Sequence, residues 1–311
     1  MYNFYIQKTK ECGILKFISW NVNGIRAAWN HGMSSFLTDC DADIYAFQET
    51  KTDEAIPMME LDGYEAFWSF CERHKGYSGT LCLTKLHPLN VWYDFGNDNF
   101  DCEGRLIIME FTSFFFVNCY VPNSQRSDYR YDYRDKWDAQ LLKYLKHLRY
   151  HKSTVVCGDF NVPISDEDIY EDNRQVKINS EGFQSTEREN LLSIISSGFV
   201  DTYRMLHPDE RKKFTWWSNR QFKRKDNRGR RLDYFLVTEN LCEFVTESTM
   251  CSDVRGSDHC PILLDINLPK DDARSISETM RKTNLNYKDL VEMEGLSYIH
   301  AVKYADMTAL W

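Results

Sequence analysis

The sequence predicts an α/β fold in which two packed, mixed β-sheets carry helices on their outer faces. Three observations predict it. Strand-like runs outnumber helical ones along the 311 residues. Hairpins alternate with helical connections, which suits sheets packed face to face with helices outside. The strand runs also end repeatedly in acid, amide, Tyr or His, and strand ends are where α/β sheets present their chemistry. The clearest is Thr154–Cys157, an apolar run read as a buried strand and ended by Gly158. Asp159 and Asn161 follow at alternate positions, so in an extended segment they face the same space.

In chain order, residues 1–14 read as a leader, residues 15–269 as one domain and residues 270–311 as a C-terminal extension. Leu15–Trp20 reads as a strand, Ile25–Leu37 as a helix and Ile44–Gln48 as the next strand, which leaves Asn21 and Glu49 at neighbouring strand ends. Tyr64–Phe70 and Thr80–Leu83 read as strands around the loop Arg73–Gly79. Leu106–Phe111 and Phe114–Tyr120 form a hairpin turning at Thr112-Ser113. Tyr129–Leu148 is a long helix, with Trp137, Leu141, Leu142, Leu145 and Leu148 at helical spacing. After Thr154–Cys157 comes a polar loop to Asn179, then a helix over Glu187–Ser196. A basic, aromatic loop runs from Phe214 to Arg231 and precedes strands at Leu232–Val237, Phe244–Met250 and Ile262–Leu268. The extension is polar and helix-compatible, with Ser275 and Glu278 spaced as a capping box.

Composition narrows the function. At 42% hydrophobic and 14% aromatic, the chain has enough apolar residues for a substantial core. A net charge of -9 argues, taken alone, against nonspecific nucleic-acid binding. The exception is local: Arg211–Arg231 holds ten Lys/Arg against the single acid Asp226. Ten cysteines form no C-x-x-C pair, and those in apolar runs (Cys82, Cys119, Cys157) read as reduced, buried thiols. No signal peptide or membrane-span-length apolar run is visible. The expectation is therefore a reducing compartment, cytoplasmic in a bacterium or nuclear in a eukaryote, with no secretion and no membrane partner.

The strand-end groups suit one kind of chemistry. Glu49 is a hard oxygen ligand which, with Asn21 and Asp258 beside it, fits Mg²⁺. No His/Cys cluster offers a zinc site. His259 can act as a base or as a donor to a phosphoryl oxygen, with Asp233 the candidate for fixing its tautomer. Asp159 can orient and deprotonate water, and Tyr120, Asn123 and Asn161 bring neutral donors to phosphate oxygens. Together they describe phosphodiester hydrolysis. Any one of them alone fits a cap, a turn or a plain hydrogen bond. Six such clusters in one chain favour chemistry.

The ordered stretches Ser19–Ala27, Gln48–Lys51, Gly76–Gly79, Tyr120–Asn123, Gly158–Val162, Arg231–Tyr234 and Gly256–Pro261 resemble the exodeoxyribonuclease III family of abasic-site (AP) endonucleases. That family lies within the endonuclease/exonuclease/phosphatase superfamily. The resemblance spans Leu15 to Leu268 and implies a four-layered, DNase I-like α/β sandwich. It further implies a monomer that uses Mg²⁺, with Mn²⁺ able to substitute, to cut duplex DNA 5′ to abasic sites. Exonuclease (3′→5′), 3′-phosphatase and 3′-phosphodiesterase activity on blocked 3′ ends is implied as well. By the same resemblance Glu49 binds the metal with Asn21 and Asn23. Asp159 activates water that Asn161 helps position, and Tyr120 and Asn123 hold the phosphate. His259, oriented by Asp233, stabilises phosphoryl oxygens, while Asp258 assists at the metal or leaving group. Trp216 and Leu232 match two walls of the abasic pocket, and Arg126 and Arg220 match positions that wedge the duplex.

Two positions depart from the pattern. Asn23 stands where many eukaryotic relatives carry Asp, and the Asn form resembles bacterial members. Arg230 falls where some members have Trp, which loosens the expected preference for abasic sites. Lys223–Lys225 reads as a rail for backbone phosphates. Competing readings keep the fold but change the substrate to RNA or a lipid headgroup, or make the chain an inactive DNA-binding protein. The last requires loss of Glu49, Asp159, Asp233 or His259, and all four are present.

Overall fold

The computed structural model describes residues 12–96, 100, 102–124, 127–170, 185–218 and 224–269. Residues 1–11 of the leader, the extension with Ser275 and Glu278, residues 171–179 of the polar loop, Arg126, Arg220 and Lys223 lie outside them, while residues 12–14 of the leader belong to the first strand. One sheet contains β1 (Cys12–Asn21), β2 (Ile44–Gln48), β3 (Glu65–Ser69), β4 (Thr80–Thr84), β11 (Val245–Met250) and β12 (Ile262–Pro269). Its order is β11-β12-β1-β2-β4-β3. The other contains β5 (Asn90–Tyr93), β6 (Leu106–Glu110), β7 (Phe114–Tyr120), β8 (Ser153–Asp159), β9 (Phe199–Asp201) and β10 (Asp233–Thr238). Its order is β5-β6-β7-β8-β10-β9.

Each sheet has one parallel pair at its centre, β1 with β2 and β7 with β8, amid antiparallel neighbours. A parallel pair needs a crossover. The first crossover is α1 (Ile25–Ala28) with α2 (Ser34–Cys40), and the second is α3 (Asp128–His151). Further helices are α4 (Ser185–Ser196) and the short α5 (Thr202–Leu206).

Side-chain alternation builds four layers. Ile18, Trp20, Tyr45, Phe47, Leu81 and Leu83 face α1 and α2, with Ile25, Ala28, Met33 and Leu37 packed on them. Val117, Val156 and Leu236 face α3 and α4 through Trp137, Leu141, Leu145, Leu191 and Ile194. Between the sheets lie Leu15, Phe17, Ile44, Ala46, Phe116, Val155, Cys157, Phe235 and Val237. Continuing along the same inner faces, hydrocarbon gives way to a polar rung. Gln48 Nε2 donates to Ser19 Oγ at 3.0 Å and to Asn118 Oδ1 at 2.8 Å. The next inward positions are Asn21 on β1, Tyr120 on β7, Asp159 on β8 and Asp233 on β10. The site thus sits at one end of the space between the sheets, and strand period two aims its side chains there.

The structure corrects several boundaries. The expected helix over Ile25–Leu37 breaks at His31 (φ -112°) and Gly32 (φ 105°), a left-handed position that suits glycine. Gly158 does not end its strand; β8 runs through it to Asp159. A Cβ there would lie 1.8 Å from the Cys119 carbonyl oxygen, so the neighbouring strand passes where any other side chain would stand. Asn161 joins Asp159 through a turn rather than through extended alternation. It has φ 53°, and its N–H donates to Asp159 Oδ1 at 2.8 Å. Leu142 is only partly buried. β5, β9 and α5 were not visible as sequence patterns, being three to five residues long. Cys82, Cys119 and Cys157 are fully buried free thiols, as expected. Among the described residues no helix is long and apolar enough to cross a membrane.

The start of β10 is pinned by a buried ion network. Arg231 donates from Nε to Asp168 Oδ1 at 2.8 Å and from Nη1 to Asp201 Oδ2 at 2.6 Å, and Arg204 adds a second cation to Asp168. Burial pushes the Asp168 carboxyl up, but Arg231 and Arg204 outweigh it and hold the group below its ordinary range. Arg231→Met is expected to cost about 3–5 kcal/mol at neutral pH, because it strands buried acids. The network stabilises above the unfolded carboxyl pKa of about 4, and that contribution is lost as pH falls through the folded value. The gap between variant and wild type in denaturant melts should therefore hold down to about pH 4 and narrow below it.

Candidate active site

The site collects the ends of both parallel pairs. Asn21 on β1 is in register with Gln48 on β2, and Glu49 follows. In the other sheet Tyr120, Asp159 and Asp233 lie abreast across β7, β8 and β10. His259 arrives on the segment before β12, its carbonyl held by the Trp20 indole N–H at 3.3 Å. The loops leave the strands by sharp turns: Asn23, Glu49, Lys51 and Asn161 have φ of 46°, 53°, 52° and 53°. Such left-handed backbone is uncommon outside glycine, and its clustering here marks a functional site.

Asn21 ties the sheets together. Its Nδ2 donates to Glu49 Oε1 at 2.9 Å and to Asp159 Oδ2 at 2.8 Å, while its Oδ1 accepts the Asn23 N–H at 3.0 Å. Asn23 Nδ2 donates to Asp258 Oδ1 at 2.9 Å, and Asp258 Oδ2 accepts the Trp216 indole N–H at 3.2 Å. His259 Nδ1 lies 2.8 Å from Asp233 Oδ2, and its Nε2 faces Asp159 Oδ2 at 3.8 Å. Asn161 Nδ2 donates to the Val121 carbonyl at 2.9 Å, and Asn123 Nδ2 donates to Asn161 Oδ1 at 3.3 Å. The Tyr120 ring packs under the Arg105 guanidinium, 4.6 Å from its centroid.

Burial sets the electrostatics. It pushes the Asp159 carboxyl well above the ordinary range; His259 opposes this, and Asp233 and Glu49 reinforce it. For His259 burial favours the neutral ring, but Asp233 and Asp159 outweigh it and keep the imidazole protonated well above its usual pKa. Burial likewise opposes ionisation of Glu49, yet Lys51 and the Asn21 amide bring it below its ordinary value. Burial raises Tyr120 further, so it stays a neutral phenol and a donor.

Lys51 and Ser257 belong to the motif stretches and take their roles from contacts that only the fold makes. Lys51 Nζ sits 2.8 Å from Glu49 Oε2 and donates to Asn23 Oδ1. Ser257 Oγ donates to the Asn21 carbonyl at 2.8 Å and accepts the His259 N–H at 3.2 Å. The signal for Lys51 was its place two residues after Glu49; the signal for Ser257 was its place two before His259.

These groups fit a divalent cation. Ligand atoms of Glu49, Asp159 and His259 lie within 4.8 Å of one another. A protonated imidazole is no ligand, which leaves the two carboxylates. Glu49, Asp159, Asp233 and Asp258 bring four acids against the two cations His259 and Lys51, and the Lys51 ammonium already occupies the space between Glu49 and Asn23 Oδ1. That surplus of hard oxygen donors suits a metal of the Mg²⁺ kind.

The pattern of the Endonuclease/Exonuclease/phosphatase family matches residues 18–259. The chain belongs to this family. An exodeoxyribonuclease of Bacillus subtilis (strain 168) is 40% identical over 255 residues, covering 82% of this chain and 100% of its own length. The DNA repair nuclease APEX1 of Danio rerio is 38% identical over 254 residues, 80% of this chain and 81% of its own. An AP endonuclease structure from Archaeoglobus fulgidus superposes with a TM-score of 0.73 at 27% identity, covering 82% of this chain and 100% of that one. Within the endonuclease/exonuclease/phosphatase family the chain is thus a nuclease of the exodeoxyribonuclease and AP endonuclease group.

The basic loop lines one side of this nuclease's site. Trp216 pairs in antiparallel bridges with Arg230 and with His259, and Leu232, nearly buried, immediately precedes Asp233. Trp217 is the core member of the tryptophan pair, at 3% exposure, and its indole N–H bonds Asn227 Oδ1 at 3.1 Å. The reading of Lys223–Lys225 as a uniform phosphate rail fails at Arg224. That guanidinium stacks 4.5 Å from the Trp217 ring and donates to the carbonyls of Ser257, Ser252 and Val254 at 2.9, 3.0 and 2.6 Å. It straps the loop to the segment carrying His259, whereas Lys225 is exposed.

Proposed function

We propose that this nuclease hydrolyses the phosphodiester 5′ to abasic sites in duplex DNA, with Mg²⁺ as cofactor, and also trims 3′ ends. The observation that carries the reading is the placement of Asp159, paired through Asn21 with Glu49 on one side and facing the protonated His259 on the other. Relatives named as an exodeoxyribonuclease, a DNA repair nuclease and an AP endonuclease support the substrate.

Asp159 takes a proton from a water that it and Asn161 hold, and its raised pKa suits a base working near neutrality. The water oxygen attacks phosphorus while the P–O3′ bond breaks, and the departing 3′ oxygen ends as a hydroxyl. His259, held by Asp233, donates from Nε2 to a nonbridging oxygen as charge builds. Tyr120 and Asn123 donate to the same phosphate. Asp258 holds Asn23 and the Trp216 indole in place beside it. Glu49 and Asn23 would hold the cation, which neutralises phosphate charge when bound. Trp216 and Leu232 form the apolar walls against an exposed deoxyribose. Arg126 and Arg220 are proposed to wedge the duplex.

The test is incision of a duplex carrying one tetrahydrofuran abasic analogue. Cleavage 5′ to the analogue with Mg²⁺, none with EDTA, and none on intact duplex is the expected result. Digestion of ordinary 3′ ends without incision at the analogue would overturn the abasic preference and keep the nuclease.

A further inference from the structure

Past the ends of β7 and β8, one side chain takes over from the sheet ladder. The parallel pair runs as far as the Val121 N–H, which donates to the Asp159 carbonyl at 2.9 Å. One residue further along each chain, the carbonyls of Pro122 and Phe160 both accept from Arg134 on α3. Nη1 reaches Pro122 at 2.6 Å and Nη2 reaches Phe160 at 2.9 Å. The remaining edge of the guanidinium is held as well: Nε donates to Asp138 Oδ2 at 2.6 Å, one helical turn on. Asn190 of α4 donates to that same carboxylate oxygen at 3.3 Å. Arg134 and Asp138 are 2% and 4% exposed, so water hardly competes for these bonds.

Both carbonyls sit inside loops of the site. Pro122 lies between Val121 and Asn123, and Phe160 lies between Asp159 and Asn161. Asn161 spans the same gap with its side chain: Nδ2 donates to the Val121 carbonyl at 2.9 Å, and Oδ1 accepts from Asn123 at 3.3 Å. Its backbone is left-handed, φ 53°, a conformation that persists only where the surroundings fix it. A planar fork with fixed N–H directions sets the separation of two carbonyls, where a flexible ammonium does not. We propose that Arg134 is a positioning residue for this nuclease: its fork sets the distance between the two loops, and that distance aims the Asn161 amide at the attacking water beside Asp159. The inference rests on the reading of Asp159 and Asn161 as the groups that hold this water. Arg134 acts only through the two backbones.

The test is a double-mutant cycle on single-turnover incision of a tetrahydrofuran duplex, with Mg²⁺ and saturating enzyme. The proteins are wild type, Arg134→Lys, Asn161→Ala and the double variant. Arg134→Lys keeps a charge against Asp138 and loses the fork. It is expected to slow incision by roughly 10–100-fold, the scale of a misplacement on the order of 1 Å. In the Asn161→Ala background the same change should cost no more than roughly twofold, because the amide it aims is already gone. A role confined to stability gives the same factor in both backgrounds, in step with the folded fraction lost in melting curves. Arg134→Met with Asp138→Leu removes the pair without stranding either charge, and carries the same cycle if the lysine variant fails to fold. Equal factors in the two backgrounds, or a wild-type rate in Arg134→Lys, overturn the proposal and leave the water site standing. A wild-type rate in Asn161→Ala, or no incision by the wild type, overturns the reading of the site and this inference with it.

Discussion

Asp159→Asn is expected to lower the single-turnover incision rate by roughly 10²–10⁴, the range that a positioned general base contributes. The replacement is nearly isosteric, so the turn made by the Asn161 N–H onto Oδ1 survives. The second oxygen is where the change bites. It now accepts from Asn21 Nδ2 and faces His259. An amide nitrogen there takes no proton from water and sets donor against donor with Asn21. Stability should move the other way or stay level. Asp159 is 1% exposed, and burial disfavours its charged form, so neutralising it relieves a desolvation cost. Duplex affinity should hold or rise, since one negative charge near the phosphate is gone. Loss of rate with a melting temperature at or above wild type is the signature of a base. A rate that falls only in proportion to lost folded protein would give Asp159 a structural role instead.

Strand placement was legible because two signals agreed. Apolar runs marked β1, β2, β7, β8, β10 and β12, and the polar residues at one end of these runs marked the site. Asn21, Glu49, Asp159 and Asp233 sit at or beside those strand ends. Less legible was everything depending on a second contact. Asn21 reads from sequence as a metal neighbour; its side chain is also the bridge between Glu49 and Asp159, and its bond to Asp159 spans 138 residues of sequence. Arg224 looked like its basic neighbours, and only the stack on Trp217 distinguishes it. Gly158 read as a strand end because glycine usually punctuates; the close passage of Cys119 shows why it stands inside a strand. Lys51 needed the left-handed backbone at Glu49 and Lys51 to turn its ammonium back onto the carboxylate.

Asp233→Asn should produce the second large loss, with a pH dependence that separates it from Asp159→Asn. Asp233 and Asp159 outweigh burial and keep His259 protonated well above the ordinary imidazole value. An asparagine oxygen can still accept from Nδ1 at the 2.8 Å position, which preserves ring orientation. It brings no charge, and the penalty of burying the imidazolium is then opposed by Asp159 and, more weakly, Asp258. The folded pKa of His259 therefore falls toward or below the ordinary value of about 6.5. In wild type the ring keeps its Nε2 proton throughout the neutral range. In the variant that proton is lost as pH rises through the lowered pKa, and with it the donor to the nonbridging oxygen. Removal of one such donor costs roughly 10²–10³ in rate. The deficit should be modest near pH 6 and approach that full range near pH 8, measured as single-turnover incision with saturating enzyme. Asp159→Asn, lacking its base at every pH, should show no gain in absolute rate on the acid side. A flat deficit for Asp233→Asn across this range would mean that Asp233 orients His259 without holding its charge.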